Sequence, residues 1–119
     1  MIDPLVPDWP APARVRALVT TRDGGCSRGP YASLNLATHV GDEPDAVARN
    51  RRALVETCRL PAEPCWLEQV HGTTVVDARA NANSPPPGDA AVTTGRGVVC
   101  AVLTADCLPI LLCDRASTT

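Results

Sequence analysis

Apolar and polar positions alternate over VRALVTT, Val15 to Thr21, which is the period of a half-buried strand. Ahead of it, Pro4, Pro7, Pro10 and Pro12 mark residues 1–13 as an extended arm. A turn-rich loop follows, RDGGCSRGPYASLN, with Asp23, Gly24, Gly25, Gly29 and Pro30. The period then changes. Val47, Leu54 and Cys58 fall on one helical stripe, with Arg49, Arg51, Arg52 and Glu56 free to face water. Asp42 suits the N-cap of that helix, Asp45 its third position, and Glu43 and Pro44 its first turn. Leu60-Pro61 ends it. Strands are expected at Cys65–His71, Thr73–Ala78 and DAAVTT, with NANSPPPG, Asn81 to Gly88, as a loop. The last strands are the apolar runs Val98–Leu103 and Pro109–Cys113, and a polar turn from Asp114 to Thr119 closes the chain. One helix among several strands predicts an α+β or mixed fold.

Those last strands lack polar alternation and need cover on both faces. One helix cannot supply it. The sequence therefore reads as a fragment of a larger domain, and an apolar face beside 98–103 and 109–113 is expected to stay exposed, inviting self-association.

Composition narrows the function. The chain has 119 residues, 45% hydrophobic and 20% charged, as in a soluble globular domain. Net charge is −2, and no basic block exceeds Arg51-Arg52, which argues against a nucleic-acid surface. MIDPLVPDWPAPARVR lacks the basic head and apolar segment of a secretory signal. No apolar run is long enough to span a membrane. A cytoplasmic protein with reduced thiols is the expectation for its six cysteines, none at zinc-knuckle or C-x-x-C spacing.

The chemistry concentrates at two places. His71 stands where a strand ends in Gly72. Imidazole is the commonest metal ligand and a general base near neutral pH, although a surface histidine is the commoner reading of such a position. Thr104, Ala105, Asp106 and Cys107 interrupt the apolar run VVCAVLTADCLPILLC. A free cysteine alone is usually an inert core residue. Asp106 changes the balance, because an unpaired buried carboxylate is costly, so the kink is expected to open to a pocket or a polar partner. A histidine and a cysteine at strand ends suit either a nucleophile with its base or two zinc ligands, and spacing does not choose. Cys26, Cys58, Cys65, Cys100 and Cys113 read as structural, and His39 as a hydrogen-bonding residue beside the helix start. The DGGCSRG loop is only loosely like a phosphate cradle, since no helix follows directly; Arg22 at its head suits either an anion or a neighbouring carboxylate.

Four stretches, TTRDGGCSRGPYASLNLATHVGDEPDAVARNR, LEQVHGTTVV, DAAVTTGRGVVCAVLTADC and LPILLCD, together resemble the YfiH family. It is also known as the multicopper polyphenol oxidase or laccase-like family, and as a purine nucleoside phosphorylase family. The resemblance runs from about Ala17 to Asp114, in order. It implies a single domain of α/β/β/α layers, related in shape to the cytotoxic necrotizing factor hydrolases, of which residues 14–119 are the N-terminal part. It implies a catalytic zinc held by His71 of the QVHG motif, Cys107 of the TADC motif, and a third histidine expected beyond Thr119. Both named ligands would then be catalytic, and Asp106 would orient a ligand or touch substrate, unless it only caps the turn.

The implied reactions are phosphorolysis of adenosine, inosine, guanosine or methylthioadenosine, and deamination of adenosine. Three protein ligands leave zinc a fourth position for an activated water, which suits deamination. Phosphorolysis needs an anion site; Arg22 is the candidate, with Asn35 and Gln69 as hydrogen-bonding partners of the substrate. The same zinc site suits a peptidoglycan-editing amidase acting on UDP-muramyl precursors. Copper-dependent phenol oxidation ranks behind both, since a laccase needs many histidines and this chain has His39 and His71. An inactive fragment, or one half of a complex with the missing C-terminal part, is the non-enzymatic alternative.

Overall fold

The computed structural model describes residues 1–79 and 84–115. The chain forms two compact units: Met1–Trp9 with Arg16–Leu60, and Pro10–Val15 with the chain from Pro61 onward. Among the described residues one α-helix, a 3-10 turn at Gly29–Tyr31 and two short strands make this a mixed helix-and-strand structure.

In the first unit the N-terminal segment pairs with the expected first strand. Leu5 and Val19 exchange both backbone hydrogen bonds at 2.8 Å as an antiparallel bridge. The rest of Val15–Thr21 lacks ladder partners, so alternation there reflects half-burial without a continuous strand. Ile2 is buried, and a Cβ on Gly24 would lie 2.5 Å from the Ile2 nitrogen, so glycine is required at that approach.

Helix α1 runs Pro44–Thr57. Its stripe is buried as the spacing predicts, with Val47, Leu54 and Cys58 inside. Two details differ from the sequence reading. The N-cap is Glu43, not Asp42; Asp42 lies one residue earlier, and its Oδ1 accepts the Glu43 N–H at 2.8 Å. Arg51 is half-buried and donates from Nε to the Leu36 carbonyl at 2.9 Å, so it does not simply face water. The helix stops at Arg59, whose φ of 52° turns the backbone left-handed two residues before Pro61.

Asn50 shares the buried stripe and is 1% exposed. Its Oδ1 accepts the Cys26 N–H at 2.8 Å, and its Nδ2 donates to Ser27 Oγ at 2.8 Å, Asn35 O at 2.9 Å and Ser33 O at 3.3 Å. One side chain thus fastens the glycine-rich loop to α1, replacing the ladder bonds an irregular loop lacks.

In the second unit, β1 (Val75–Asp77) and β2 (Ala90–Val92) pair in parallel, Val75 opposite Ala90 and Asp77 opposite Val92. Segment 65–68 makes two further parallel bridges, Cys65 with Cys100 and Glu68 with Pro87. Cys65, Leu67 and Ala78 form its buried apolar positions. The strands expected at Cys65–His71 and Val98–Leu103 are reduced to these bridges, and none forms over 109–113 among the described residues. Leu108, Ile110 and Leu112 are 85%, 74% and 88% exposed. Apolar content alone does not make a strand without a partner to accept its backbone bonds. Residues 81–83 of the expected loop and 116–119 of the closing turn lie outside the described residues.

Candidate functional site

The QVHG and TADC motifs are stitched together by Gln69. Its Nε2 donates to the Leu103 carbonyl at 2.9 Å and its Oε1 accepts the Leu103 N–H at 2.7 Å. A primary amide sets one of its two N–H donors beside its oxygen acceptor much as a peptide strand does, so it substitutes for a neighbouring strand. The stitch fixes the chain two residues before His71 and one residue before the start of Thr104–Cys107.

His71 sits on an unusual backbone. Its φ of 59° is left-handed, a conformation that costs a non-glycine residue about 1–3 kcal/mol and persists only where its surroundings impose it. The imposing group is Asp89. Its Oδ1 accepts the N–H groups of Val70 at 3.0 Å and His71 at 2.9 Å, and its Oδ2 accepts that of Gly72 at 2.7 Å. The Gly72 N–H above all, then those of His71 and Val70, hold the Asp89 carboxyl below its ordinary 3.8, against a smaller opposing effect of burial. The His71 side chain itself is exposed.

Thr104, Ala105, Asp106 and Cys107 are all exposed. Asp106 is exposed and makes no hydrogen bond or ion pair among the described residues, so of the two expectations, a pocket or a polar partner, the partner is not found and the carboxylate faces solvent. Cys107 is a free, exposed thiol. Burial pushes the Cys58 thiol up, and desolvation, with Cys65 and Asp77 adding to it, does the same for Cys100, although that residue is exposed overall.

Two of the expected substrate-binding residues, Arg22 and Asn35, belong to the first unit and are engaged there. Arg22 donates from Nε at 2.9 Å and Nη2 at 2.7 Å to the Ala32 carbonyl, using two of the five guanidinium N–H groups. Asn35 accepts the Ala37 N–H at 3.1 Å and donates to Ala37 O and Asp42 Oδ2, both at 3.2 Å. Ser27 Oγ donates to the same Asp42 oxygen at 2.5 Å; this bond first, then those from Asn35 and Glu43, keeps the Asp42 carboxyl below its usual range, with burial opposing. These residues shape the loop that carries them.

Among the described residues no three His, Cys, Asp or Glu side chains converge as a metal cage. The donor chemistry fits zinc in kind, since imidazole and thiolate are two members of a tetrahedral ligand set. It does not fit a multicopper centre within this chain, whose histidines number two. No helix of the described residues is long and apolar enough to cross a membrane.

Sequence reading missed Asp89 and Asn50. Asp89 ends the PPPGD turn just ahead of a strand, and nothing in its spacing points back to His71. Asn50 had a readable signal, a polar residue three positions after Val47 and four before Leu54 on an apolar stripe.

Comparison with known proteins shows the family. Residues 16–119 match the family described as multi-copper polyphenol oxidoreductase laccase. The chain is 56% identical over 114 residues to the purine nucleoside phosphorylase PA4543 of Pseudomonas aeruginosa, covering 96% of this chain and 46% of that protein. It is 49% identical to the purine nucleoside phosphorylase YfiH of Escherichia coli K12, covering 96% and 47%. Among solved structures, Neisseria meningitidis protein NMB0706 superposes with a TM-score of 0.89 at 53% identity, over 97% of this chain and 47% of that one. YlmD from Geobacillus stearothermophilus gives 0.73 at 36%, over 80% and 39%. The chain thus spans a little under half the length of these relatives. With QVHG and TADC stitched through Gln69 and a family match over residues 16–119, the chain belongs to the multi-copper polyphenol oxidoreductase laccase family, the YfiH-like proteins.

Proposed function

We propose that this chain is the N-terminal part of a zinc-dependent purine nucleoside phosphorylase that also deaminates adenosine. The observation that carries the reading is the Gln69–Leu103 stitch, which ties the histidine motif to the cysteine motif within one unit. The names of relatives at 49–56% identity support the nucleoside class. His71 and Cys107 would hold the zinc together with a third histidine from polypeptide corresponding to the relatives' second half. When bound, zinc supplies Lewis-acid activation of a water for deamination. In phosphorolysis a phosphate oxygen bonds to C1′ of the ribose as the C1′–N9 bond breaks, and the base leaves with a proton. Asp106, exposed beside Cys107, is available to a substrate or to a ligand's outer face.

Arg22 is the anion partner in this proposal, although two of its N–H groups bind the Ala32 carbonyl. Unchanged phosphate affinity in Arg22→Ala would remove it. The same proposal makes this chain part of a layered α/β/β/α domain, in keeping with its span of under half the relatives' length. Leu108, Ile110 and Leu112, each exposed here, are apolar side chains that the rest of such a domain would cover.

The test uses the intact gene product, with zinc measured, on adenosine in phosphate buffer. Adenine with ribose 1-phosphate reports phosphorolysis, and inosine with ammonia reports deamination. A zinc-loaded protein that leaves adenosine untouched overturns the nucleoside reading and directs attention to UDP-muramyl precursors.

A further inference from the structure

Asp89 is held from two sides. Its own N–H donates to the Thr74 carbonyl at 3.1 Å, continuing the β1–β2 ladder, and Gly88 before it donates to the Glu68 carbonyl at 3.0 Å. A Cβ on Gly88 would lie 2.5 Å from Val76 Cγ2, so the chain passes tightly over β1 at this point. The register of the parallel pair, Val75 opposite Ala90, therefore sets where the Asp89 carboxylate lies. That carboxylate fills the concavity made by three successive N–H groups, Val70, His71 and Gly72. Such a run with a left-handed central residue is an anion-binding nest, here occupied by a side chain of the same unit.

We propose that Asp89 is the positioning residue of this site. By closing the 70–72 nest it holds His71 left-handed and so sets the direction in which the imidazole is presented to its metal. The proposal rests on the reading of His71 as a ligand. Asp89 does not touch the metal in this scheme. It acts through the backbone, as an outer residue that orients a ligand and tunes affinity.

The test compares wild type, Asp89→Ala and Asp89→Asn in the intact gene product labelled with 15N-histidine, His71 being assigned by its absence in His71→Gln. Ser27→Ala serves as a control, because it removes two hydrogen bonds of the other unit, a part-buried one to Asp42 and a buried one from Asn50. In wild type, zinc should shift the His71 imidazole nitrogens. Asp89→Ala should move the His71 amide proton upfield, as its carboxylate partner is lost, and weaken zinc binding about 10–100-fold. Asp89→Asn keeps one acceptor oxygen and should show a smaller loss in the same direction; it carries the test if the alanine variant does not fold. Ser27→Ala should lower the melting temperature yet leave both signatures in place. Wild-type zinc affinity in whichever Asp89 variants fold overturns the positioning role while the site stands. A wild-type His71 that ignores zinc overturns the site reading and this role together.

Discussion

Replacing Asn50 with alanine tests whether the glycine-rich loop is held by one buried amide. The side chain is 1% exposed and makes four hydrogen bonds, three of them at 2.8–2.9 Å. At about 1 kcal/mol each, the three short bonds amount to about 3 kcal/mol. The Cys26 N–H, part-buried in an otherwise exposed residue, adds between about 0 and 2 kcal/mol when it loses its acceptor, according to how far water replaces it. A loss of about 3–5 kcal/mol is therefore expected, a large share of the 5–15 kcal/mol typical of a domain. Asn50→Asp separates bonding from volume. It preserves shape and the acceptor for Cys26, but sets an oxygen against the carbonyls of Ser33 and Asn35. It should cost as much as alanine. Urea unfolding of the three proteins at neutral pH measures the differences. An Asn50→Ala loss below about 1 kcal/mol, or an Asn50→Asp protein as stable as wild type, would refute the assignment.

Gln69→Leu removes both bonds to Leu103, worth about 2 kcal/mol together. Hydrogen exchange at the Leu103 amide should then quicken by about tenfold or more, and an unchanged rate would show that the stitch is incidental. Asp42 supplies a pH test. Its folded pKa lies below the unfolded 3.8, so its contribution is present above that value and is lost as pH falls through the folded value. The stability gap between wild type and Asp42→Asn should be constant above about pH 5 and close below pH 3.8; a gap that widens on acidification contradicts the Ser27 and Asn35 bonds as its source.

Local periodicity revealed α1 well, since Val47, Leu54 and Cys58 face inward as their spacing requires. The positions of β1 and β2 were likewise legible, β1 from the β-branched run TTVV and β2 from the short stretch DAAVTT set between turn residues. The apolar stretch 98–113 misled, because its composition reports the cover it needs and not the partners it has here. At the site, motif membership singled out His71, Cys107 and Gln69, but not what Gln69 does. A side-chain amide that replaces a strand, or a carboxylate that holds a turn 17–19 residues earlier, leaves no periodic trace. The same holds for Arg22 and Asn35, whose loop bonds to Ala32 and Ala37 depend on the fold of the loop. The exposure of Asp106 shows a simpler escape from the burial penalty than a dedicated partner: the apolar run ends before the carboxylate enters it.

The most direct measurement is zinc content and adenosine turnover of the intact gene product beside His71→Ala and Cys107→Ala. Wild type should carry zinc and release adenine in a phosphate-dependent reaction, with both variants losing metal and product together. Full turnover in either variant would contradict a site built on the QVHG and TADC motifs.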